Sequence, residues 1–319
     1  MVLDVITVGE AMVQFAALET GPLESVVSFA RVTAGAELNV AIGLARLGLR
    51  VGYISRLGAD SFGRHIAGTL DREGVDREHV SIDAEYPTGF MIKSRSDDGS
   101  DPKTEYFRRG SAASCLGPAD NPREYCAASR HLHMTGIYVA VSPSTRELVF
   151  ELAADARAAR RSVSFDPNLR PSLWRSQAEM VDCMNRLASV SDWVLPGLEE
   201  GRLLTGRDSP EDIAAFYLDR GASGVVVKLG PAGAYFASAT ECGRAVGRKV
   251  ERVVDTVGAG DGFAVGVISG LLEGLGLAAA AARGNAIGAR VVQFPGDCDG
   301  LPTRAELGVA LSSSQANVP

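Results

Sequence analysis

The stretch Asp255-Thr-Val-Gly-Ala-Gly-Asp261-Gly-Phe263 runs directly into the apolar segment 264–272. Three small residues, 258–260, occupy the place where a helix is expected to begin, so their backbone N–H groups can meet an anion without obstruction. Asp261 falls in the first turn, and a carboxylate beside an anion site indicates a group that accepts a proton. A cap at Asp255 or Thr256 followed by a plain glycine turn explains the same pattern.

The complete string resembles the C-terminal signature of the ribokinase-like (PfkB) family of carbohydrate kinases, D-T-x-G-A-G-D. The resemblance implies that Asp261 is the catalytic base for a sugar hydroxyl and that Asp255 contributes to sugar binding. It also implies that the N–H groups of Gly258, Ala259 and Gly260 hold the phosphoryl charge and contact the nucleotide phosphates. Phosphoryl transfer depends mainly on positioning and charge stabilisation, so such a cradle with one base is sufficient.

Outward from this stretch, short β-branched segments alternate with longer Ala/Leu-rich segments. The predicted strands are 3–8, 51–55, 130–134, 163–165, 193–195 and 225–229, and the predicted helices are 38–47, 61–73, 143–159, 177–189 and 210–220. The alternation predicts an α/β fold with a central, mostly parallel sheet and helices on both faces. With 319 residues and 46% apolar content, we expect one large ribokinase-like domain over residues 1–319.

Two turn-rich segments, 13–32 and 82–112, interrupt the alternation with strand-like sequence that lacks a good helix. They predict a small separate sheet. In ribokinase-like proteins, insertions at these places form a β lid over the sugar site and often a dimer contact, and the resemblance implies the same here. An ordinary surface hairpin is the alternative, and the pattern alone does not decide between them.

A second signature joins the first insertion to a helix, Thr33-Ala-Gly-Ala-Glu-Leu-Asn-Val-Ala-Ile-Gly-Leu-Ala-Arg-Leu-Gly48. In the family, a Gly-Gly pair here lets the backbone approach the sugar and an asparagine binds its hydroxyls. The resemblance therefore assigns Gly35 and Asn39 to substrate binding, although Ala34 replaces the first glycine. A hydrogen bond from Asn39 to backbone at the helix start is the alternative.

Three stretches resemble the 2-keto-3-deoxygluconate kinases of this family: 106–114, 135–138 and 166–174. A sugar acid carries a carboxylate, which an arginine fork binds better than it binds a neutral hydroxyl cluster. The resemblance assigns this pairing to Arg108 and Arg170, with Tyr106 as a further contact. Phe90 occupies a lid position where some members have tyrosine, so we expect a contact there without a hydroxyl.

The alternative for these cations is structural. Arg108 and Arg109 would be solvated lid charges, and Arg170 would pair with Asp166 to hold a loop.

The nucleotide side is marked by shorter motifs. Val194-Leu-Pro-Gly-Leu-Glu-Glu200 resembles the family's Asn-x-x-Glu motif, with glycine in place of asparagine, and implies that Glu200 acts on Mg²⁺ through water. Lys228-Leu-Gly-Pro-Ala-Gly233 resembles the loop along the nucleotide phosphates, which assigns Lys228, Gly230 and Gly233 to ATP; a plain β-turn is the alternative. Asn285 matches a position near the adenine, where a helix cap is the alternative.

Composition excludes several function classes. The formal net charge of −7 and the 6% aromatic content argue against a nucleic-acid surface. Five scattered cysteines without a Cys-x-x-Cys pair indicate reduced thiols, not a zinc or disulfide framework. The start of the chain is typical of a first strand and not of a signal peptide, so we expect a cytoplasmic protein. Charged and glycine residues divide 264–282 into two buried helices, not a membrane span.

We therefore expect an ATP- and Mg²⁺-dependent kinase that phosphorylates the 6-hydroxyl of 2-keto-3-deoxygluconate. A monovalent cation is an open further requirement, and the family suggests a homo-oligomer, either a dimer through the lid or a higher assembly. Two alternatives stay open at this point. One is a fructokinase- or ribokinase-like kinase of a neutral sugar, and the other is a non-catalytic sugar and nucleotide sensor.

Overall fold

The computed structural model of the chain describes residues 2–95 and 102–308. Residues 96–101, which belong to the second predicted insertion, lie outside the described residues, as do residue 1 and residues 309–319.

The described residues form strands and helices that alternate along most of the chain. The strands are β1 Val5–Val8, β2 Met12–Thr20, β3 Phe29–Ala34, β4 Val51–Gly58, β5 Val80–Asp83, β6 Phe90–Arg95, β7 Thr104–Phe107, β8 His131–Thr135, β9 Ser162–Asp166, β10 Trp193–Val194, β11 Gly224–Lys228, β12 Gly233–Ser238 and β13 Cys242–Val246. The α-helices are α1 Ala36–Arg46, α2 Ser61–Arg72, α3 Arg123–Ala127, α4 Tyr138–Val141, α5 Pro143–Ala158, α6 Gln177–Ala188, α7 Leu198–Thr205, α8 Pro210–Leu218, α9 Ala259–Leu272 and α10 Leu277–Val291.

Nine strands form the central sheet in the order β13-β12-β11-β10-β9-β8-β1-β4-β5. Seven of them, from β11 to β5, are parallel. Helices α1, α9 and α10 cover one face, and α5, α6 and α8 cover the other. A strand between two helical layers is buried on both sides, which explains why every residue of β1 is buried, Thr7 included. The predicted mostly parallel sheet with helices on both faces is confirmed.

The edges of this sheet were not predicted. Strand β12 pairs antiparallel with β11, and β13 pairs antiparallel with β12. Ile82 and Asp83, expected at the start of the second insertion, lie in β5 and pair with β4. Exposed edge strands carry less of the apolar signal that identifies the buried parallel strands, so the sequence marks them poorly.

A second sheet, with the order β3-β2-β6-β7, comes from the two predicted insertions. Its two faces have different partners. Phe15 and Phe90 on one face contact Phe62 of α2, with ring centroids 5.6 and 5.7 Å away. Met12 and Met91 on the other face are buried toward the end of the central sheet. The small separate sheet is therefore present, and it lies over the carboxyl ends of the parallel strands.

The apolar segment 264–282 is divided between α9 and α10, as predicted. The two helices cross closely at Gly266, where a Cβ atom would lie 2.5 Å from the Cα atom of Gly284. Such a contact joins helix backbones directly and needs glycine on both sides. None of the described helices is long and apolar enough to cross a membrane.

The buried histidines are part of the sheet. His131 Nε2 and His133 Nδ1 lie 2.7 and 2.8 Å from the hydroxyl of Ser164. Burial lowers the pKa of His133 to about 3, so its ring is neutral. Across the described residues, no group of three His, Cys, Asp or Glu side chains is arranged to hold a metal ion. Both rings are thus held by hydroxyl groups within the sheet.

Candidate active site

A cavity of about 580 Å³ opens at the carboxyl ends of the parallel strands. Glu10 follows β1, Asp166 ends β9 and Lys228 ends β11, so the strand directions bring all three side chains to one place. This edge of an open α/β sheet is where ligands generally bind. The small sheet closes the other side with Met12, Met91 and Tyr106.

The signature stretch forms the floor of the cavity, where α9 begins. Gly258 is the N-cap with φ +81°, and a Cβ there would lie 2.6 Å from the Asp297 carbonyl oxygen. The first helical hydrogen bond joins the Gly262 N–H to the Gly258 carbonyl at 2.8 Å, so the preceding amides lie outside the helical ladder. Gly258 and Gly260 both line the cavity. The arrangement provides an anion cradle at a helix N-terminus.

Asp261 lies on the first turn of α9, and its side chain is buried beside the cradle. The Asn39 amide Nδ2 donates to Asp261 Oδ2 at 2.7 Å. Burial raises the pKa of Asp261 to about 8, and the carboxylates of Asp166, Asp297 and Glu37 add to the rise, whereas the bond from Asn39 opposes it. Asp261 is therefore a carboxyl group that changes protonation near neutral pH, as a general base requires.

Lys228 lies next to the cradle. Its ammonium donates to both carboxylate oxygens of Asp166, at 2.8 and 2.6 Å, and lies 3.7 Å from the point where a Cβ at Gly260 would stand. Burial opposes the charge on Lys228, but the Asp166 carboxylate outweighs it, and the pKa of Lys228 is raised. Asp166 thus pairs with Lys228, and the alternative in which Arg170 pairs with Asp166 is wrong.

Arg108 is held by a carboxylate of the protein. Arg108 Nε lies 2.7 Å and Nη2 lies 2.5 Å from Glu10 Oε2, while the hydroxyl of Ser111 donates to Glu10 Oε1 at 2.5 Å. The Arg108 side chain is only 10% exposed, so the solvated-charge alternative is wrong for it. Arg109 is exposed, as that alternative expects.

Arg170 and Tyr106 also line the cavity. Arg170 Nη1 donates to the Leu169 carbonyl at 2.9 Å. The carbonyl is neutral, so this bond does not compensate the positive charge of Arg170. The Arg108 guanidinium lies 6.0 Å from the centre of the Tyr106 ring. The cavity lining therefore includes two guanidinium groups, one of which is paired with Glu10.

Gly35 lies at the cavity with φ +143°, and a Cβ there would stand 2.6 Å from the Glu10 carbonyl oxygen. Only glycine fits this position without strain. Asn39, four residues later in α1, lines the cavity as well. Its amide contacts Asp261 and Cys298, so the expected bond to backbone at the helix start is not its main contact.

Two residues assigned to the sugar lie elsewhere. Phe90 is on the face of the small sheet opposite Met91, stacked on Phe107 at 4.7 Å, and is not among the described residues that line the cavity. Asp255 is also absent from the described lining, and its carboxylate pairs with the ammonium of Lys93 in β6. The placement of Phe90 does not support a direct substrate contact, and Asp255 instead ties the small sheet to the signature loop.

On the nucleotide side, Glu200 borders the cavity at the start of α7. Its carboxylate accepts the N–H groups of Gly197 at 2.7 Å and Leu169 at 2.8 Å. Backbone N–H partners leave the carboxylate negative, which fits an outer contact to Mg²⁺, an ion usually held by one or two carboxylates together with water and phosphate oxygens.

Gly230 and Gly233 flank the short turn between β11 and β12 and lie outside the described lining of the cavity. Asn285 Nδ2 donates to the carbonyls of Ala245 and Val246, at 2.9 and 3.2 Å. Since Asn285 lies inside α10, the helix-cap alternative is wrong, and the side chain fixes the end of β13.

Sequence reasoning missed several residues of the site. Glu37 is buried in the cavity wall, where Thr135 donates to its carboxylate, and burial raises its pKa to about 7. Asp297 lines the cavity, and burial raises its pKa to about 6 despite the nearby charge of Lys93. Glu10 and Asp166 each follow a predicted parallel strand, and that position was the signal that could have identified them.

The chain is similar to known carbohydrate kinases along nearly its whole length. The family model for pfkB family carbohydrate kinases matches residues 2–304. A 2-dehydro-3-deoxygluconokinase of Bacillus subtilis is 52% identical over 316 residues, covering 99% of this chain and 97% of that protein. A PfkB protein from Polaromonas sp. JS666 is 54% identical with a TM-score of 0.90, covering 96% of this chain and 99% of that one. An E. coli protein assigned as Ribokinase II, solved with ATP and Mg²⁺, is 26% identical with a TM-score of 0.90, covering 98% and 99%.

Proposed function

This chain belongs to the pfkB family of carbohydrate kinases, and we propose that it transfers the γ-phosphoryl group of ATP to the 6-hydroxyl of 2-keto-3-deoxygluconate. The product is 2-keto-3-deoxy-6-phosphogluconate, with ADP as the second product. The similarity to a B. subtilis protein of that name along nearly the full chain supports this substrate.

One observation carries the proposal. A buried carboxyl group, Asp261, lies beside the anion cradle at one end of the cavity, and Arg170 presents a positive charge at the same cavity. A proton acceptor and phosphate-binding amides suit phosphoryl transfer to a hydroxyl group. A guanidinium in the same cavity suits an acceptor that carries a carboxylate.

In the proposed reaction, Asp261 takes the proton of the 6-hydroxyl while the oxygen of that hydroxyl attacks the γ-phosphorus atom. The N–H groups of Gly258, Ala259 and Gly260 then stabilise the charge on the phosphoryl oxygens, and the ammonium of Lys228, whose charge Asp166 partly compensates, lies beside them as a further donor. Asp166 holds that ammonium with two hydrogen bonds, so it is oriented before ATP binds. Gly230 and Gly233 stay assigned to the nucleotide loop and Asn285 to the adenine end.

Glu200 would hold Mg²⁺ through water, and the ion would neutralise the negative charge of the ATP phosphates when bound. The protein part of this contact is the carboxylate of Glu200, fixed by two backbone N–H groups at the start of α7. The monovalent cation remains an open requirement of the proposal.

The substrate carboxylate is proposed to meet Arg170 first. Arg108 already pairs with Glu10, so its charge is largely compensated before substrate binds. Arg108 would then contribute to substrate binding through its remaining N–H groups and by orienting the ring of Tyr106. Gly35 and Asn39 complete the sugar side, with Phe90 and Asp255 acting indirectly through the small sheet.

The small sheet is proposed to act as a lid on a single domain. Its inner face supplies Met12, Met91 and Tyr106 to the cavity. Its exposed apolar side chains include Leu18, Val27 and Phe107, which would be covered in a homo-oligomer formed through the lid. A cytoplasmic location belongs to the same proposal, because ATP is the second substrate.

The test is ADP release with Mg·ATP across a panel of acceptors: 2-keto-3-deoxygluconate, 2-keto-3-deoxygalactonate, fructose, ribose and adenosine. We expect selective turnover of the two keto-deoxy acids, and their ratio identifies the preferred epimer. The Asp261→Asn variant is the blank for contaminating kinases. Turnover of a neutral acceptor alone would contradict the assignment of a sugar acid.

A neutral sugar is the second candidate, because Glu10 compensates Arg108. If that pair leaves no net attraction for a carboxylate, fructose or ribose would be the acceptor. The two candidates differ in their response to Arg170→Ala. This substitution should weaken the binding of a sugar acid strongly and the binding of a neutral sugar little.

A further inference from the structure

We propose that Cys298 is a positioning residue for phosphoryl transfer, because its thiol fixes the Asn39 amide with the N–H end toward Asp261. Cys298 Sγ lies 2.9 Å from Asn39 Oδ1, and Asn39 Nδ2 lies 2.7 Å from Asp261 Oδ2. The three residues are 9%, 1% and 8% exposed, respectively. The inference rests on the proposed function in that it takes Asp261 as the base.

When Asp261 is ionised, one order of donors and acceptors satisfies all three groups. An asparagine amide has an accepting end and a donating end, and an ionised carboxylate only accepts. A thiol donor at Oδ1 therefore leaves Nδ2 for Asp261. Burial raises the pKa of the Cys298 thiol, with the charge of Asp297 adding to the rise, so the thiol keeps its proton at neutral pH.

The backbone that carries the Cys298 thiol is held by Arg46 of α1. Arg46 Nη1 donates to the carbonyls of Cys298 at 2.7 Å and Leu301 at 3.1 Å, and the same guanidinium pairs with Glu73. The Asp297 carbonyl lies against Gly258 on the other side. The backbone around Cys298 is therefore held between Arg46 of α1 and Gly258 at the start of α9, which limits how far the thiol can move.

A reversed amide would place Oδ1 against the Asp261 carboxylate. The charged groups that face Asp261 are Asp166 after β9, Asp297, Glu37 of α1 and Lys228 of β11. Three of these four are carboxylates that disfavour ionisation of the base. The N–H of Asn39 opposes them, so losing it moves the titration of Asp261 to higher pH.

The test compares Cys298→Ala, which removes the donor, with Cys298→Ser, which keeps one in a side chain of nearly the same volume. The measurement is the pH dependence of kcat/KM for the acceptor at saturating Mg·ATP. For Cys298→Ala we expect the acidic limb to move up by about 0.5–1 pH unit, the size of one neutral hydrogen bond. Cys298→Ser should keep the wild-type limb. Equal shifts in both variants, or no shift in Cys298→Ala, would overturn the proposal.

Cys126→Ala is the matched control, since Cys126 is a buried thiol in the other helical layer. It should leave the acidic limb unchanged whatever it does to stability. If Cys298→Ala does not fold, Asn39→Ala replaces it and should move the limb in the same direction. Where both fold, the double variant should shift by no more than Asn39→Ala alone, because the thiol acts through the amide. Additive shifts would contradict this route.

A titration without substrate separates this inference from the proposed function. The Asp261 carboxyl can be followed by carbon-13 NMR in protein labelled at aspartate, with the signal identified by its loss in Asp261→Asn. The Asp261 pKa should be higher in Cys298→Ala than in wild type and in Cys298→Ser. If wild type turns over none of the acceptors, the proposed function fails while this titration still decides the role of Cys298.

Discussion

The two ends of the cavity are built in different ways. The phosphoryl end comes from one turn of chain, in which the backbone groups of 258–260 and the carboxylate of Asp261 are neighbours in sequence. The sugar end combines side chains from distant places, such as Glu10 after β1 and Arg108 after β7, which are 98 residues apart. A change of side chain leaves the backbone amides in place, whereas a single substitution can alter the charge of a side-chain pair.

This difference indicates a division of roles. A cradle of amides recognises any phosphate that reaches it, so it determines the reaction and not the acceptor. The charge balance among Glu10, Arg108 and Arg170 determines which acceptor is attracted. Substitutions at the phosphoryl end should therefore lower turnover for every substrate, and substitutions at the sugar end should change the preference among substrates.

The largest effect is expected at the phosphoryl end, for Lys228→Met. Loss of the ammonium beside the cradle removes charge stabilisation of the transferring group, so kcat should fall by about 10²-fold or more for every acceptor. The measurement is steady-state ADP release. The unpaired Asp166 would also destabilise the fold.

The double variant Lys228→Met/Asp166→Asn separates these effects. Its melting temperature should recover relative to Lys228→Met, while its kcat stays low. Recovery of kcat together with stability would mean that Lys228 has only a structural role.

An intermediate effect is expected at the sugar end, for Arg170→Ala. Loss of this guanidinium, which pairs with no carboxylate among the described residues, should raise the KM for the sugar acid by roughly 10-fold to 100-fold, since charge-assisted hydrogen bonds contribute about 1.5–3 kcal/mol. Arg108→Ala should raise it less, because Glu10 already compensates Arg108. The exposed Arg109→Ala is the matched control and should have no effect. Equal increases for acids and neutral ketoses would contradict the assignment of the carboxylate.

The smallest effect concerns stability. The folded-state pKa of Asp261, raised by burial to about 8, lies above its ordinary value of 3.8, so the fold favours the protonated form and loses stability as pH rises toward 8. Asp261→Asn removes this penalty. The variant should be more stable than wild type by on the order of 2 kcal/mol at pH 8 and by much less at pH 4. Thermal melts at both values check this, and a pH-independent difference would contradict it.

The fold and the phosphoryl end could be predicted because their signals are local. The buried parallel strands appear as continuous apolar segments, and the cradle with its base lies in nine consecutive residues. Strand β13, at the sheet edge, is mostly exposed, and both it and its neighbour β12 were missed.

The sugar end was less predictable because its contacts join residues far apart in sequence. Asn39 is separated from Asp261 by 222 residues and from Cys298 by 259, and no periodicity reports such pairs. The face of the small sheet on which Phe90 lies depends on strand register, since a shift of one residue moves every side chain of the strand to the opposite face. The contact of Asn285 with β13 likewise needs the packing of α10 on that strand.

The most direct test of the account is the turnover of Asp261→Asn with Mg·ATP and 2-keto-3-deoxygluconate, measured beside the binding of both ligands by calorimetry. We expect both ligands still to bind, while kcat falls by roughly 10²-fold or more because the positioned base is lost. Near-normal turnover of the variant would contradict this expectation, because the proton would then leave by another route.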